Sequence, residues 1–161
     1  FLFLREVPES AKRPAAEGGV PRFTHNGYPR LSDDEGYPGC KPPYGTLNCI
    51  DLASGKLVWQ VPLGVYPDLA FWGDGDTGAE NFGGPSITAS GIIFCSGAAD
   101  LKIRAFDAGN GAVLWEGDLP YGGYAPPTIY EAGGKEYIVI AATGGGKLGT
   151  QTGDAYVAFS L

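Results

Sequence analysis

The sequence predicts an all-β fold: a partial β-propeller of two to three four-stranded antiparallel blades, with little helix. Three observations predict it. The stretch Cys49-Ile50-Asp51-Leu52-Ala53-Ser54-Gly55-Lys56-Leu57-Val58-Trp59 returns as Ala105-Phe106-Asp107-Ala108-Gly109-Asn110-Gly111-Ala112-Val113-Leu114-Trp115, with each Asp, Gly and Trp 56 positions from its counterpart. Apolar residues alternate after each turn, at Leu57, Trp59, Val61 and Leu63 and again at Val113, Trp115 and Leu119, the period of a strand with one buried face. The composition, with 27 Gly, 13 Pro and no Met, suits short strands and turns. A hairpin unit repeated in this way buries its apolar face by stacking on its own copies, which is the logic of a propeller.

Each element follows from its residues. Positions 1–43 carry no period, and Pro8, Pro14, Pro21, Pro29, Pro38, Pro42 and Pro43 interrupt any helix, so this segment is expected to be an irregular lead-in. Positions 44–161 are expected to be the blades. Tyr44–Asp51 is a strand, followed by the first repeated turn and the Trp59 strand. In each turn the Asp carboxylate accepts from nearby N–H groups and the Gly takes up positive φ. Gly64–Asn81 reads as an insertion carrying Asp68, Asp74, Asp76 and Glu80. A full blade follows, with strands at Pro85–Ala89, Ile92–Ser96, Lys102–Phe106 and Ala112–Asp118. A further blade has strands at Pro127–Glu131, Glu136–Ala142 and Ala155–Leu161, with Gly133-Gly134 as a hairpin turn. Ala158-Phe159 matches Ala105-Phe106, so this last blade lacks a Trp-bearing fourth strand. Closed propellers use about four to eight blades, and the chain begins without Met. The expectation is therefore a C-terminal portion of a longer protein, whose N-terminus supplies the missing outer strand.

The net charge of −7 argues against a nucleic-acid partner, which needs clustered Lys and Arg. No apolar run has the length to span a bilayer. Cys40, Cys49 and Cys95 form no CxxC pair, and each reads as a small buried apolar residue rather than part of a disulfide framework or zinc site. His25 is the single histidine and has no nucleophile at motif spacing. Asp74-Gly75-Asp76-Thr77-Gly78-Ala79-Glu80 has the oxygen ligands of a calcium loop but neither a third acidic position nor flanking helices, and reads as a solvated acidic loop. No residue is assigned a catalytic or metal-ligating role.

Two stretches carry candidate binding chemistry. Asn81-Phe82-Gly83-Gly84-Pro85 enters a blade's first strand, beside the central channel of a propeller, where an aromatic flanked by glycines lines a pocket or plugs the channel. Gly144-Gly145-Gly146-Lys147-Leu148-Gly149 satisfies G-x-G-x-x-G after an apolar strand. A dinucleotide site requires a helix opening at that loop and an acidic residue about 20 positions later. Here a strand follows instead. The loop therefore reads as backbone able to approach a flat ligand, with Lys147 as a nearby cation, or as a plain hairpin loop.

At Lys41-Pro42-Pro43-Tyr44-Gly45-Thr46-Leu47, Ile50-Asp51-Leu52, Trp59-Gln60-Val61-Pro62-Leu63-Gly64, Phe82-Gly83-Gly84-Pro85, Leu101–Asp107, Tyr137–Ala142 and Gly144–Thr150 with Gly153-Asp154, the chain resembles the closing third of the PQQ-dependent quinoprotein dehydrogenases, nearest the membrane-type glucose dehydrogenase branch. The resemblance covers about Pro21 to Leu161. It implies an eight-bladed propeller in which the two Asp…Gly…Trp units are tryptophan-docking motifs between blades. It also implies a periplasmic protein, with a membrane anchor as an option in the parent. The expected activity is oxidation of a sugar or alcohol with PQQ as hydride acceptor, and a quinone or cytochrome takes the electrons. Ca or Mg and the catalytic Asp fall in earlier blades, and the remaining blades of the parent are this chain's partners. The residues carried over to the cofactor are Asn81, Phe82, Gly83, Gly145, Gly146 and Lys147. Some glucose-oxidising relatives have a His where this sequence has Gly145, a departure that argues against glucose as substrate. On this reading the chain is inactive alone. The other function classes are a scaffold propeller of the outer-membrane assembly lipoprotein type and an interaction module that buries its open edges by oligomerising.

Overall fold

A computed structural model describes residues 4–6, 23–25, 30–71 and 76–160, of which 4–6, 23–25, 70 and 71 as backbone alone. The chain divides into two compact units, Phe1–Cys40 and Lys41–Leu161. In the first, β1 (Leu4–Glu6) pairs antiparallel with β2 (Phe23–His25). Further along, the Asp33 carboxylate accepts from the N–H groups of Glu35 and Tyr37 and closes a turn.

The second unit is built from three antiparallel sheets that do not close on themselves. The first pairs β3 (Thr46–Asp51) with β4 (Lys56–Pro62), and the second runs β5 (Ser86–Ile87), β6 (Ile92–Cys95), β7 (Lys102–Asp107) and β8 (Val113–Asp118). The third has β10 (Lys135–Ala142) between β9 (Thr128–Ala132) and β11 (Ala155–Ser160). One short helix, α1 (Pro67–Phe71), lies in the insertion after the first sheet. The predicted two, four and three strands are all present. The Pro85–Ala89 strand contracts to two residues, because Pro85 has no N–H to give a ladder and Thr88 instead closes the turn to Ile92.

Each sheet turns one face to each neighbour, so the second sheet is covered twice. Phe94, Ile103 and Ala105 face the third sheet and meet Ile138, Ile140 and Ala142, while Cys95 and Phe106 face the first and meet Leu47 and Leu63. Phe106 and Ile103 are wholly buried, and removing a buried Phe side chain costs about 3–5 kcal/mol.

One detail departs from the sequence pattern. Both repeated hairpins carry a β-bulge, between Cys49 and Ile50 and between Ala105 and Phe106, so Val58 and Leu114 are extra residues in their strands. The bulge breaks the alternation at its first member. Leu57 and Val113, expected on the same face as Trp59 and Trp115, are exposed.

Candidate functional site

Antiparallel order sorts the connections of the second unit onto two ends. The tight turns 52–55, 88–91, 108–112 and 133–134 lie at one end, and the longer loops 41–45, 76–85, 96–101, 119–127 and 143–154 at the other. Backbone hydrogen bonds tie the loops together: Tyr44 to Thr77, Phe82 to Gly97, Leu119 to Leu101, and Gly144 to Gly122. Both candidate binding stretches therefore stand at the same end.

The two stretches meet. Lys147 Nζ lies over the Phe82 ring, 5.8 Å from its centroid, within reach of cation–π attraction. Phe82 is 45% exposed, with no side chain on Gly83 or Gly84 to cover it. Lys147 sits in a 3-10 turn, Gly146–Leu148, between Gly145 and Gly149, which have φ of 68° and 66°. The turn's base is fixed by the bridge between Gly145 and Thr150 and by the 2.6 Å hydrogen bond between the Thr150 and Tyr124 hydroxyls. Glycine is required where the loop leaves and rejoins the sheet. A Cβ on Gly144 would overlap the Gln151 carbonyl, and one on Gly153 would overlap the Tyr121 ring.

The other candidates have more local work. Gly83 packs against the backbone of Ser96 and Gly97, which seats the Phe82 segment on the next loop. Asn81 bridges Ala98 and donates its side-chain amide to the Ala79 carbonyl. Thus Phe82 and Lys147 are brought together, Gly145 and Gly146 flank the cation, and Asn81 and Gly83 hold the ring's segment in place. Tyr121, Tyr124 and Thr150 were not legible as site residues. For the two tyrosines the signal was their place beside the glycines of 121–124, and for Thr150 its place at the end of the 144–149 glycine run.

Below the loops lies an ion network that the sequence did not disclose. Arg104 is 5% exposed. Its guanidinium donates to Asp100 through Nη2 and to Glu116 through Nε, both at 2.6 Å, and Lys102 reaches Glu116 at 3.2 Å. Asp100 also accepts from the Val65 N–H, which ties two loops together. Burial works against the Arg104 charge, but the hydrogen bonds and charges of Asp100 and Glu116 raise its pKa further. Burial likewise works to raise the Glu116 carboxyl, while hydrogen bonds from Lys102 and Arg104 outweigh it and hold the pKa below the usual value. Arg104 Nη1 is the one buried side-chain polar atom among the described residues without a hydrogen-bond partner. Cys95, opposite Arg104 in the ladder, is pushed up to about 11 by burial, with the Arg104 charge opposing.

At the turn end the first hairpin is anchored on the second sheet. Trp59 Nε1 donates to the Ala108 carbonyl at 2.9 Å, and the indole covers Gly111, where a Cβ would stand 2.8 Å from the ring. Trp115 meets Phe159 edge-on with centroids 5.0 Å apart. Among the described residues no three His, Cys, Asp or Glu side chains gather as metal ligands. Asp74 lies outside the described residues, as does the His25 side chain.

A family model described as PQQ: Glucose/ethanol/alcohol dehydrogenase, beta-propeller domain, matches residues 6–138. The chain is 36% identical to the quinoprotein glucose dehydrogenase of Escherichia coli (strain K12), over 97% of this chain and 21% of that protein. It is 39% identical to a probable quinate dehydrogenase (quinone) of Xanthomonas campestris pv. juglandis, over 99% of this chain and 23% of that one. Among solved structures, a europium-containing methanol dehydrogenase superposes with a TM-score of 0.54 at 27% identity, covering 71% of this chain and 17% of its own. The quinohemoprotein alcohol dehydrogenase of Comamonas testosteroni shares the fold with a TM-score of 0.56 at 22% identity, over 89% of this chain and 18% of its own. The chain spans about a fifth of the length of the curated relatives it matches.

Proposed function

Because this chain belongs to the PQQ-dependent glucose/ethanol/alcohol dehydrogenase β-propeller family, we propose that it is the C-terminal part of a longer quinoprotein and forms one wall of its cofactor pocket. The whole protein oxidises a sugar or alcohol and passes electrons to a quinone or cytochrome, from a periplasmic location. The observation that carries the reading is the Lys147 ammonium held over the exposed Phe82 ring, where two glycine-flanked loops converge.

These residues suit PQQ, a flat tricyclic quinone with carboxylate groups. Phe82 offers an aromatic face, Gly145 and Gly146 leave backbone uncovered, and Lys147 offers the complementary charge. When bound, PQQ supplies the acceptor for the substrate hydride. This chain's residues bind and orient it: Asn81 and Gly83 fix the Phe82 segment, and the Gly144–Gly153 loop carries the cation. The carboxylate base and the Ca or Mg ion belong to earlier blades. The Trp59 contact, with Ala108 as acceptor and Gly111 as platform, acts as a tryptophan-docking motif, and Trp115 plays the same part toward the third sheet. A scaffold propeller has no use for an exposed Phe82 beneath a lysine.

The test is a PQQ titration followed by tryptophan fluorescence. This chain alone should show weak binding or none, and no turnover of sugars or alcohols with a dye acceptor, because most of the pocket is contributed elsewhere. The full-length protein should bind PQQ and turn over. Micromolar binding by the chain alone would overturn the division of the pocket.

A further inference from the structure

The two repeated turns differ at one chemically reactive position. Where the first hairpin has Ser54-Gly55, the second has Asn110-Gly111. An Asn followed by Gly is the pair most open to cyclisation, because glycine has no side chain to hinder attack by its amide nitrogen on the asparagine. Asn110 is exposed, and its Oδ1 accepts from the Ala112 N–H at 2.8 Å. That bond polarises the Cγ carbonyl as a donor in an oxyanion hole does. The electrophile is presented and activated.

The nucleophile is held back. The Gly111 N–H donates to the Asp107 carbonyl at 2.8 Å, and Gly111 is buried. A Cβ at Gly111 would stand 2.8 Å from the Trp59 ring and 2.9 Å from Val61, so the first sheet packs directly on the backbone that has to turn for attack. The Trp59 bond to the Ala108 carbonyl fastens the other arm of the turn. Gly55, the counterpart of Gly111, also donates to its turn's Asp carbonyl, but its Cβ position has nothing within 4 Å. The reactive pair is thus found in the turn that a neighbouring sheet covers.

We propose that Asn110 is a deamidation site gated by the docking of the first sheet. When Trp59 lifts and the Gly111–Asp107 bond opens, the Gly111 amide nitrogen gives its proton to solvent base and bonds to Asn110 Cγ. The Cγ–Nδ2 bond breaks, ammonia leaves and a succinimide remains. Water then opens the ring at either carbonyl, to aspartate or isoaspartate, with no change of oxidation state. Isoaspartate routes the main chain through the side-chain carbon and so lengthens a turn that fits closely under the indole. A reversible parting of two sheets thereby leaves a covalent mark that hinders their return.

The experiment incubates the full-length protein in mildly alkaline buffer and follows Asn110 by mass and retention time in tryptic peptide 105–135. The other Asn-Gly pair, Asn26-Gly27, falls in a separate peptide. Deamidation of Asn110 should be at least about tenfold slower in the native protein than in guanidinium chloride. Trp59→Ala should raise the native rate by about tenfold, and Trp59→Phe, which keeps most of the packing, by less. Should Trp59→Ala fail to fold, denaturant below the midpoint takes its place and should accelerate the reaction in the unchanged protein. Asn110→Ser, copying Ser54, should yield no isoaspartate at this position. Protein isolated with isoaspartate at 110 should unfold at a lower denaturant midpoint. Equal native and denatured rates, or a native rate indifferent to both Trp59 variants, would overturn the gate, and an unchanged midpoint would overturn its consequence.

Discussion

Arg104 occupies the interior on conditions set by its partners. Asp100 and Glu116 hold two of its donors, and the Asp100 carboxylate is itself buried. Replacing Arg104 with Met leaves that carboxylate without its cation, and the expected loss is about 3–5 kcal/mol, measured by urea unfolding. Glu116 gives the pH dependence. Its folded pKa lies below the unfolded value near 4.5, so its contribution is present above that value and is lost as pH falls through the lowered one. Glu116→Gln should flatten the acid limb of the stability curve. Cys95 has the opposite sign. Its folded value of about 11 exceeds the ordinary 9.0, so stability is full below 9 and declines as pH rises toward 11. Cys40, read from the sequence as buried, is exposed, because it sits among the turns after Asp33 and outside any strand; a thiol reagent at pH 8 should label it and spare Cys95 until the chain unfolds.

At the scale of elements, the repeated hairpin is a strand pair that carries its own anchor. Gly111 has φ of 75° and lies under the Trp59 ring, so Gly111→Ala combines backbone strain with overlap and should cost about 2 kcal/mol. Trp59→Phe keeps most of the packing and loses the bond to Ala108, at about 1 kcal/mol. Denaturant midpoints of the two variants check both figures. The hairpins were legible because their signals are local: an Asp, a Gly and a Trp at fixed offsets report a turn and its strand. The bulges at Cys49/Ile50 and Ala105/Phe106 were not legible, since an extra residue leaves the composition of a strand unaltered, and so Leu57 and Val113 were placed on the wrong face. The same limit applied to the loops. Phe82 and the Gly144–Gly149 run could be named from their residue types. The supports, Tyr121 under Gly153, Tyr124 on Thr150 and Asp100 on Val65, join positions that are remote in the chain and carry no short-range mark.

For the molecule as a whole, the third sheet presents unfinished surface. β11 is an edge strand and its Tyr156 is 79% exposed; Trp115, on β8 of the neighbouring second sheet, is 40% exposed. A cleft of about 360 Å³ lies among Phe94, Trp115, Ile138, Ala158, Phe159 and Ser160. An unpaired edge beside apolar side chains favours pairing with another chain. Sedimentation velocity on this chain alone should show mass rising with concentration. Added salt should strengthen the association, because it screens the repulsion between copies of charge −7. Ala158→Lys, at the cleft, should shift the distribution back toward monomer.

The tryptophan contacts and the loops that bring Phe82 and Lys147 together sit at opposite ends of the same strands. Lengthening or recoding residues 143–154 changes the rim and leaves the angle between neighbouring wedges as it was. Grafting that segment from a relative is thus a conservative piece of engineering, whereas a single insertion among 107–111 would unseat the stack.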